Sequence, residues 1–133
     1  MTETITKMIF LGNSLYIKLG LWSRNEIRYR YIDLIFDTGA SVTTLSPEIL
    51  YQLGYIHIPN KDAYIRTASS VERVKCFNVD KLKIGSIEIS DVEVHAHKFP
   101  EESFAVGVIE LNVLQQFDIN LSFSERLIKF KQL

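Results

Sequence analysis

At 133 residues the chain has the length of one domain, and 47% apolar residues with a mean hydropathy of +0.06 supply material for a compact core. Fifteen basic residues against sixteen acidic ones leave a formal net charge of -1, which gives no electrostatic basis for a nucleic-acid or anionic-membrane partner. The single cysteine, Cys76, excludes an intrachain disulfide and suits a reducing compartment; with no motif around it, it reads as a small strand hydrophobe.

The segment Met1-Thr2-Glu3-Thr4 lacks a basic n-region, and Met8-Ile9-Phe10-Leu11 is too short for a signal sequence or a membrane span. The expectation is a soluble, cytoplasmic protein, a single domain over 1–133 with its core from about 15 to 130. Leu15, Ile17, Leu19 and Leu21 alternate with Tyr16, Lys18 and Gly20, the period of a half-buried strand. A second alternation puts Ile27, Tyr29 and Tyr31 on one face and Arg28 and Arg30 on the other. With Ser23-Arg24-Asn25-Glu26 between them, the two segments form an antiparallel hairpin. Tyr29 and Tyr31 read as packing residues. Asp33 shares a parity with Ile35 and Asp37, so it is either near a site or satisfied by an arginine.

The second strand runs through Ile32-Asp33-Leu34-Ile35-Phe36 into Asp37-Thr38-Gly39-Ala40-Ser41. A carboxylate on a glycine-bearing turn directly after a buried strand is held rigidly at a surface, where it can activate water. Asp-Thr-Gly can also be an ordinary turn in which Asp and Gly serve backbone geometry. Next, Ser46 caps and Pro47 opens a short helix that Gly54 ends, with Ile49, Leu50 and Leu53 buried and Glu48 and Gln52 in solvent. Ile84-Gly85-Ser86-Ile87 has the pattern of a type II′ hairpin loop joining strands 79–84 and 87–94. Apolar parity is odd at Ile87 and Ile89 but even at Val92, Val94 and Ala96, which calls for a bulge or bend near Ser90-Asp91. Leu111 to Phe117 reads as a second short helix with Asn112 as a possible cap, and a last hairpin pairs 118–123 with 126–130. The tail Leu127-Ile128-Lys129-Phe130 either supplies an interface strand or closes the sheet of its own subunit.

This all-β order with two short helices resembles the retropepsin-like aspartic proteases, on four segments covering roughly 15–130. The Asp37-Thr38-Gly39-Ala40-Ser41 motif follows a hydrophobic strand, and Ser46 to Gly54 resembles the family's short helix ending in Leu-Gly. Arg66-Thr67-Ala68-Ser69-Ser70-Val71 resembles the flap hairpin, and Asn112 to Asp118 the helix after the hydrophobic-hydrophobic-glycine element. The resemblance implies a closed β-barrel forming half of an acid protease, one lobe per chain. Bilobed relatives carry the motif twice; this chain has no second Asp-Thr/Ser-Gly, so the resemblance implies a homodimer in which each protomer contributes Asp37.

On the same footing Thr38 ties the two loops together across the dimer axis and Gly39 lets backbone approach the carboxylates. Ala40 and Ser41 line the cleft floor, although Ser41 is equally a turn residue. Thr67, Ala68, Ser69, Ser70 and Val71 close over an extended protein or peptide substrate or form a plain solvent-exposed hairpin tip; no cofactor and no metal are implied. One departure stands out: Val108-Ile109-Glu110 occupies the hydrophobic-hydrophobic-glycine element, so Glu110 stands where the family has glycine. The alternative takes Ala105-Val106-Gly107 as that element, followed by a three-residue insertion. A carboxylate at Glu110 can clash behind the loop or add negative charge near the dyad and raise its proton affinity. His95 and His97, two apart on a strand, pose the question of a metal pair, but no third ligand beyond a weak Glu93 is evident. Both read as exposed strand histidines. Two functions remain: a homodimeric aspartic endopeptidase, or a catalytically impaired retropepsin-like dimer that binds extended peptides or scaffolds an assembly. A small unrelated β-barrel, in which Asp37 merely shapes a turn, is a third and weaker reading.

Overall fold

The computed structural model describes residues 2–55, 61–66 and 68–133. Among the described residues thirteen elements follow one another: β1 (Glu3–Lys7), β2 (Ile9–Leu11), β3 (Ser14–Ser23), β4 (Arg28–Phe36), β5 (Thr44–Leu45), α1 (Pro47–Leu53), β6 (Lys61–Arg66), β7 (Val71–Ile84), β8 (Ile87–Ala96), β9 (Gly107–Ile109), α2 (Leu111–Leu114), β10 (Phe117–Ser122) and β11 (Leu127–Gln132). Eight strands form one sheet in the order β2-β3-β4-β9-β5-β8-β7-β6. A further pairing of β3 with β7, Gly20 opposite Lys83 and Leu21 opposite Leu82, closes six of them into a barrel. Closure removes the edges that an open sheet would leave on those strands.

Alternation in β3 buries Ile17, Leu19 and Leu21 completely, and they meet Leu34, Phe77, Val79, Leu82 and Ile109 in the core. The β3–β4 hairpin forms as expected, with one difference: Ile27 is not on the strand face of Tyr29 and Tyr31 but in the turn, at φ 56 and 76% exposed. The inward face of β4 is therefore that of Leu34, and the two tyrosines lie outside. There Tyr29 packs edge-on against Trp22 and hydrogen-bonds Glu88, and Tyr31 is exposed. Asp33 is paired not with an arginine but with Lys18, directly opposite it in the hairpin, whose Nζ stands 3.0 Å from Oδ1.

In α1, Ser46 accepts from the Ile49 amide, Pro47 sits in the first turn, and Gly54 ends the helix at φ 92. The parity change in β7 and β8 is a bend and not an inserted residue. Val79 faces Val92 and Lys81 faces Ser90, so the register is the same on both sides, while the buried positions step from Phe77 and Val79 to Leu82 and Ile84. Two groups leave the ladder there: Asp91 takes φ 58, and the Asp80 amide donates to the Tyr55 hydroxyl at 3.2 Å. Arg24 then holds the Asp80 carboxylate in two hydrogen bonds of 2.9 and 2.8 Å.

The tail closes the sheet of its own subunit, since β11 lies between β1 and β10 in a separate three-stranded sheet. Ahead of Leu15, β1 and β2 are each paired into one of the two sheets. The second helix is shorter than expected: it stops at Leu114, and Phe117 already starts β10, its ring packed edge-on against Phe130. Among the described residues no helix is long and apolar enough to cross a membrane.

Candidate active site

Three strand ends build the site. In the order β4-β9-β5, strand β9 lies parallel to β4 and antiparallel to β5, with Ile109 opposite Phe36 and Gly107 opposite Leu45. The chain leaving β4 must pass over the end of β9 to reach β5, and the crossing segment is Asp37 to Thr43. Parallel strands end at the same level, which sets Asp37 and Glu110 side by side at the tops of β4 and β9. The Asp37 amide donates to the Ile109 carbonyl at 3.1 Å, fixing where the loop starts.

Within the loop the Gly39 amide donates to Asp37 Oδ1 at 2.7 Å. A Cβ on Gly39 would lie 3.0 Å from that oxygen, tighter than a methylene normally approaches, so the glycine lets the amide turn back onto the carboxylate. Asp37, Ala40 and Val42 are half-buried; Thr38, Gly39 and Ser41 are exposed.

The far side of the loop is braced by the segment after β9. Leu111 and Asn112 donate their amides to the carbonyls of Ala40 and Ser41 at 3.2 and 2.9 Å. Asn112 does not cap α2, as the sequence suggested; Glu110 occupies the cap position without a side-chain hydrogen bond. Instead Asn112 Oδ1 accepts from both the amide and the hydroxyl of Thr43, at 2.9 and 2.8 Å, and its Nδ2 donates to the Glu93 carbonyl at 2.8 Å. The Thr43 hydroxyl in turn accepts from the Glu110 amide at 3.1 Å. One buried threonine and one asparagine thereby lock the crossing loop to β8 and β9. Sequence reading missed this brace because the partners are 69 residues apart.

Glu110 is the unusual group. Its side chain is only 7% exposed, and its carboxyl is pushed up to about 7, first by burial and second by the charge of Asp37. Glu110 stands beside the loop at the end of β9, whereas Gly107 lies inside the barrel wall. A Cβ on Gly107 would come within 2.6 Å of Leu34, 2.7 Å of Leu45 and 2.9 Å of the Thr44 carbonyl. That position admits no side chain without moving the walls of the barrel.

The segment expected to act as a flap lies at the connection of the β6–β7 hairpin, where Arg66 pairs with Val71. Ala68, Ser69, Ser70 and Val71 are exposed at its tip, and Thr67 lies outside the described residues. His95 and His97 do not form a matched pair. His95 is half-buried in β8, whereas His97 is exposed beyond the end of that strand and meets the Phe99 ring edge-on. The neighbours of His95 are instead Cys76 and Glu93.

A closed β-barrel with two short helices and an aspartate loop crossing between parallel strand ends defines a retropepsin-like lobe. The family model for gag-polyprotein putative aspartyl proteases matches residues 24–116, a span from the β3–β4 turn to the turn after α2, and the chain belongs to that family. Among solved structures it is similar to a retropepsin-like aspartic protease from Rickettsia conorii, with a TM-score of 0.70 over 97% of this chain and 89% of that one. The identity of 18% makes this a likeness of fold. No curated protein sequence matches the chain.

Proposed function

We propose that the chain, one domain per protomer, is an aspartic endopeptidase that works as a homodimer. The carrying observation is the placement of Asp37: a half-buried carboxylate, one oxygen gripped by the Gly39 amide, on a loop whose Thr38 and Gly39 remain exposed in a single chain. Family membership supports the hydrolase class, and the single Asp-Thr/Ser-Gly in this sequence supports a second copy as the source of the second carboxylate. Two carboxylates brought together share one proton. The ionised Asp37 takes a proton from water as it attacks the peptide carbonyl, and the protonated Asp37 of the other copy donates to the developing oxyanion. The titration belongs to the pair. Thr38 and Gly39 meet their counterparts at the axis, Ala40 and Ser41 line the floor, and residues 67–71 close over an extended peptide whose main chain pairs with strand edges.

Glu110 supports a second reading, a peptide-binding or scaffolding dimer with impaired catalysis, because it sets a further carboxyl close enough to Asp37 to feel its charge. Sedimentation of wild type and Asp37→Asn, together with digestion of an unfolded protein mixture from acidic to neutral pH, separates the two. The protease reading expects a dimer in both proteins and cleavage only in wild type. A dimer that never cuts leaves the binding module, and a monomer that never cuts removes both.

A further inference from the structure

We propose that Cys76, Glu93 and His95 form a binding site for a divalent transition-metal ion, with Zn2+ the best match to the donors. The site is independent of Asp37 and of the protease reading. Cys76 on β7 is directly opposite His95 on β8, and Glu93 is two residues back on the same face of β8. The His95 amide is spent on the Thr43 carbonyl of the neighbouring segment, at 2.9 Å. Cys76 and His95 are therefore a pair without mutual backbone hydrogen bonds, the arrangement in which cross-strand side chains stand closest. One ligand atom from each of the three residues lies within 4.8 Å of the others.

Zinc takes sulfur at about 2.3 Å and nitrogen or oxygen at about 2.0–2.2 Å, so its ligand atoms stand roughly 3–4 Å apart. Rotation about side-chain bonds would close that difference, because the strand register sets all three residues on one face. A thiolate, an imidazole and a carboxylate also select the metal: hard Mg2+ and Ca2+ prefer all-oxygen sets, whereas this mixed set suits Zn2+. Thiolate and carboxylate together balance the charge of the dication. Cys76 is wholly buried while Glu93 and His95 are half-buried, which puts sulfur at the floor and leaves an open side for the ion to enter and for water to complete the shell.

The ligands are also held from behind. The Glu93 carbonyl accepts from Asn112 and the His95 amide donates to Thr43, and Thr43 and Asn112 are bonded to each other. An ion pinning β7 to β8 would stiffen the frame on which the Asp37 loop rests.

Titration of the metal-free full chain with Co2+ tests the assignment by the thiolate-to-cobalt charge-transfer absorption in the near ultraviolet. Wild type should give that band at one equivalent, lose it on adding Zn2+, and behave identically with Asp37→Asn. Cys76→Ser should abolish the band, and His95→Gln and Glu93→Gln should each weaken binding by about 10-fold or more. Circular dichroism on every variant excludes misfolding. A folded wild type without the band overturns the proposal. So does a band of equal affinity in wild type, His95→Gln and Glu93→Gln, since that would be a thiol acting alone.

Discussion

Replacing Glu110 by glutamine keeps the shape and removes the charge, and the structure gives the effect a sign and a pH window. The carboxyl is raised from its ordinary value of 4.5 to about 7 in the folded chain, so the folded state holds this proton more tightly than the unfolded state does. Well below about pH 4.5 both states are protonated and the group is neutral toward stability. As pH rises through about 7 the unfolded chain has already ionised, and the folded chain must either keep the proton or bury a charge beside the Asp37 loop. The full displacement corresponds to about 3 kcal/mol, and screening by solvent at the open face of the loop brings the working range to about 1–3 kcal/mol. Glu110→Gln should therefore leave stability unchanged near about pH 4 and raise it by that amount near about pH 8. Urea unfolding of both proteins across this range measures it. Because the Asp37 charge is the second cause of the rise, the gain should shrink in an Asp37→Asn background, and a double-mutant cycle isolates the coupling. A gain that is the same at every pH, or a loss that grows with pH, refutes the reasoning.

Other substitutions probe the frame of the site. Gly107→Ala forces a methyl against Leu34, Leu45 and the Thr44 carbonyl and should cost about 1–3 kcal/mol by urea unfolding; a change within error would mean the wall yields freely. Asn112→Ala strands the Thr43 amide and hydroxyl that now share its oxygen, with an expected loss of about 2 kcal/mol or more. The same variant should speed hydrogen exchange at the Thr43 amide more than at the core strands, and uniform protection across the barrel would count against its role as a brace. If Asp37 acts as proposed, Asp37→Asn should abolish cleavage of unfolded protein while leaving the sedimentation coefficient unchanged.

Local chemistry carried the elements that were read correctly. Ser46-Pro47 and Gly54 bound α1, alternation marks β3, and glycine first in the Gly85-Ser86 loop fixes the β7–β8 hairpin. What escaped is short or non-local. β5 has two residues and β9 three, too few for any period, yet their placement between long strands carries the crossing loop. Asn112 sits where a helix cap is expected, and only the tertiary approach of Thr43 diverts its amide. The Cys76–His95 contact was within reach: counting outward from Ile84 and Ile87 puts 76 opposite 95, provided the strands contain no inserted residue. The parity change at Ser90-Asp91 suggested that one could be there, and the unchanged register through the bend is what aligns the pair.

The sheet β1-β11-β10 has a consequence for synthesis. Glu3 pairs with Lys131 and Lys7 with Leu127, so β1 leaves the ribosome well ahead of its partner β11, by an interval on the order of ten seconds at ordinary elongation rates. Contacts of such separation form late and slowly, and an unpaired strand is exposed to the wrong partners meanwhile. Thr4 offers an earlier anchor: its hydroxyl accepts from the Ser86 amide at 3.1 Å, in a loop translated well before β11. The β7–β8 loop can thus hold the N-terminal strand in place until its final neighbour emerges.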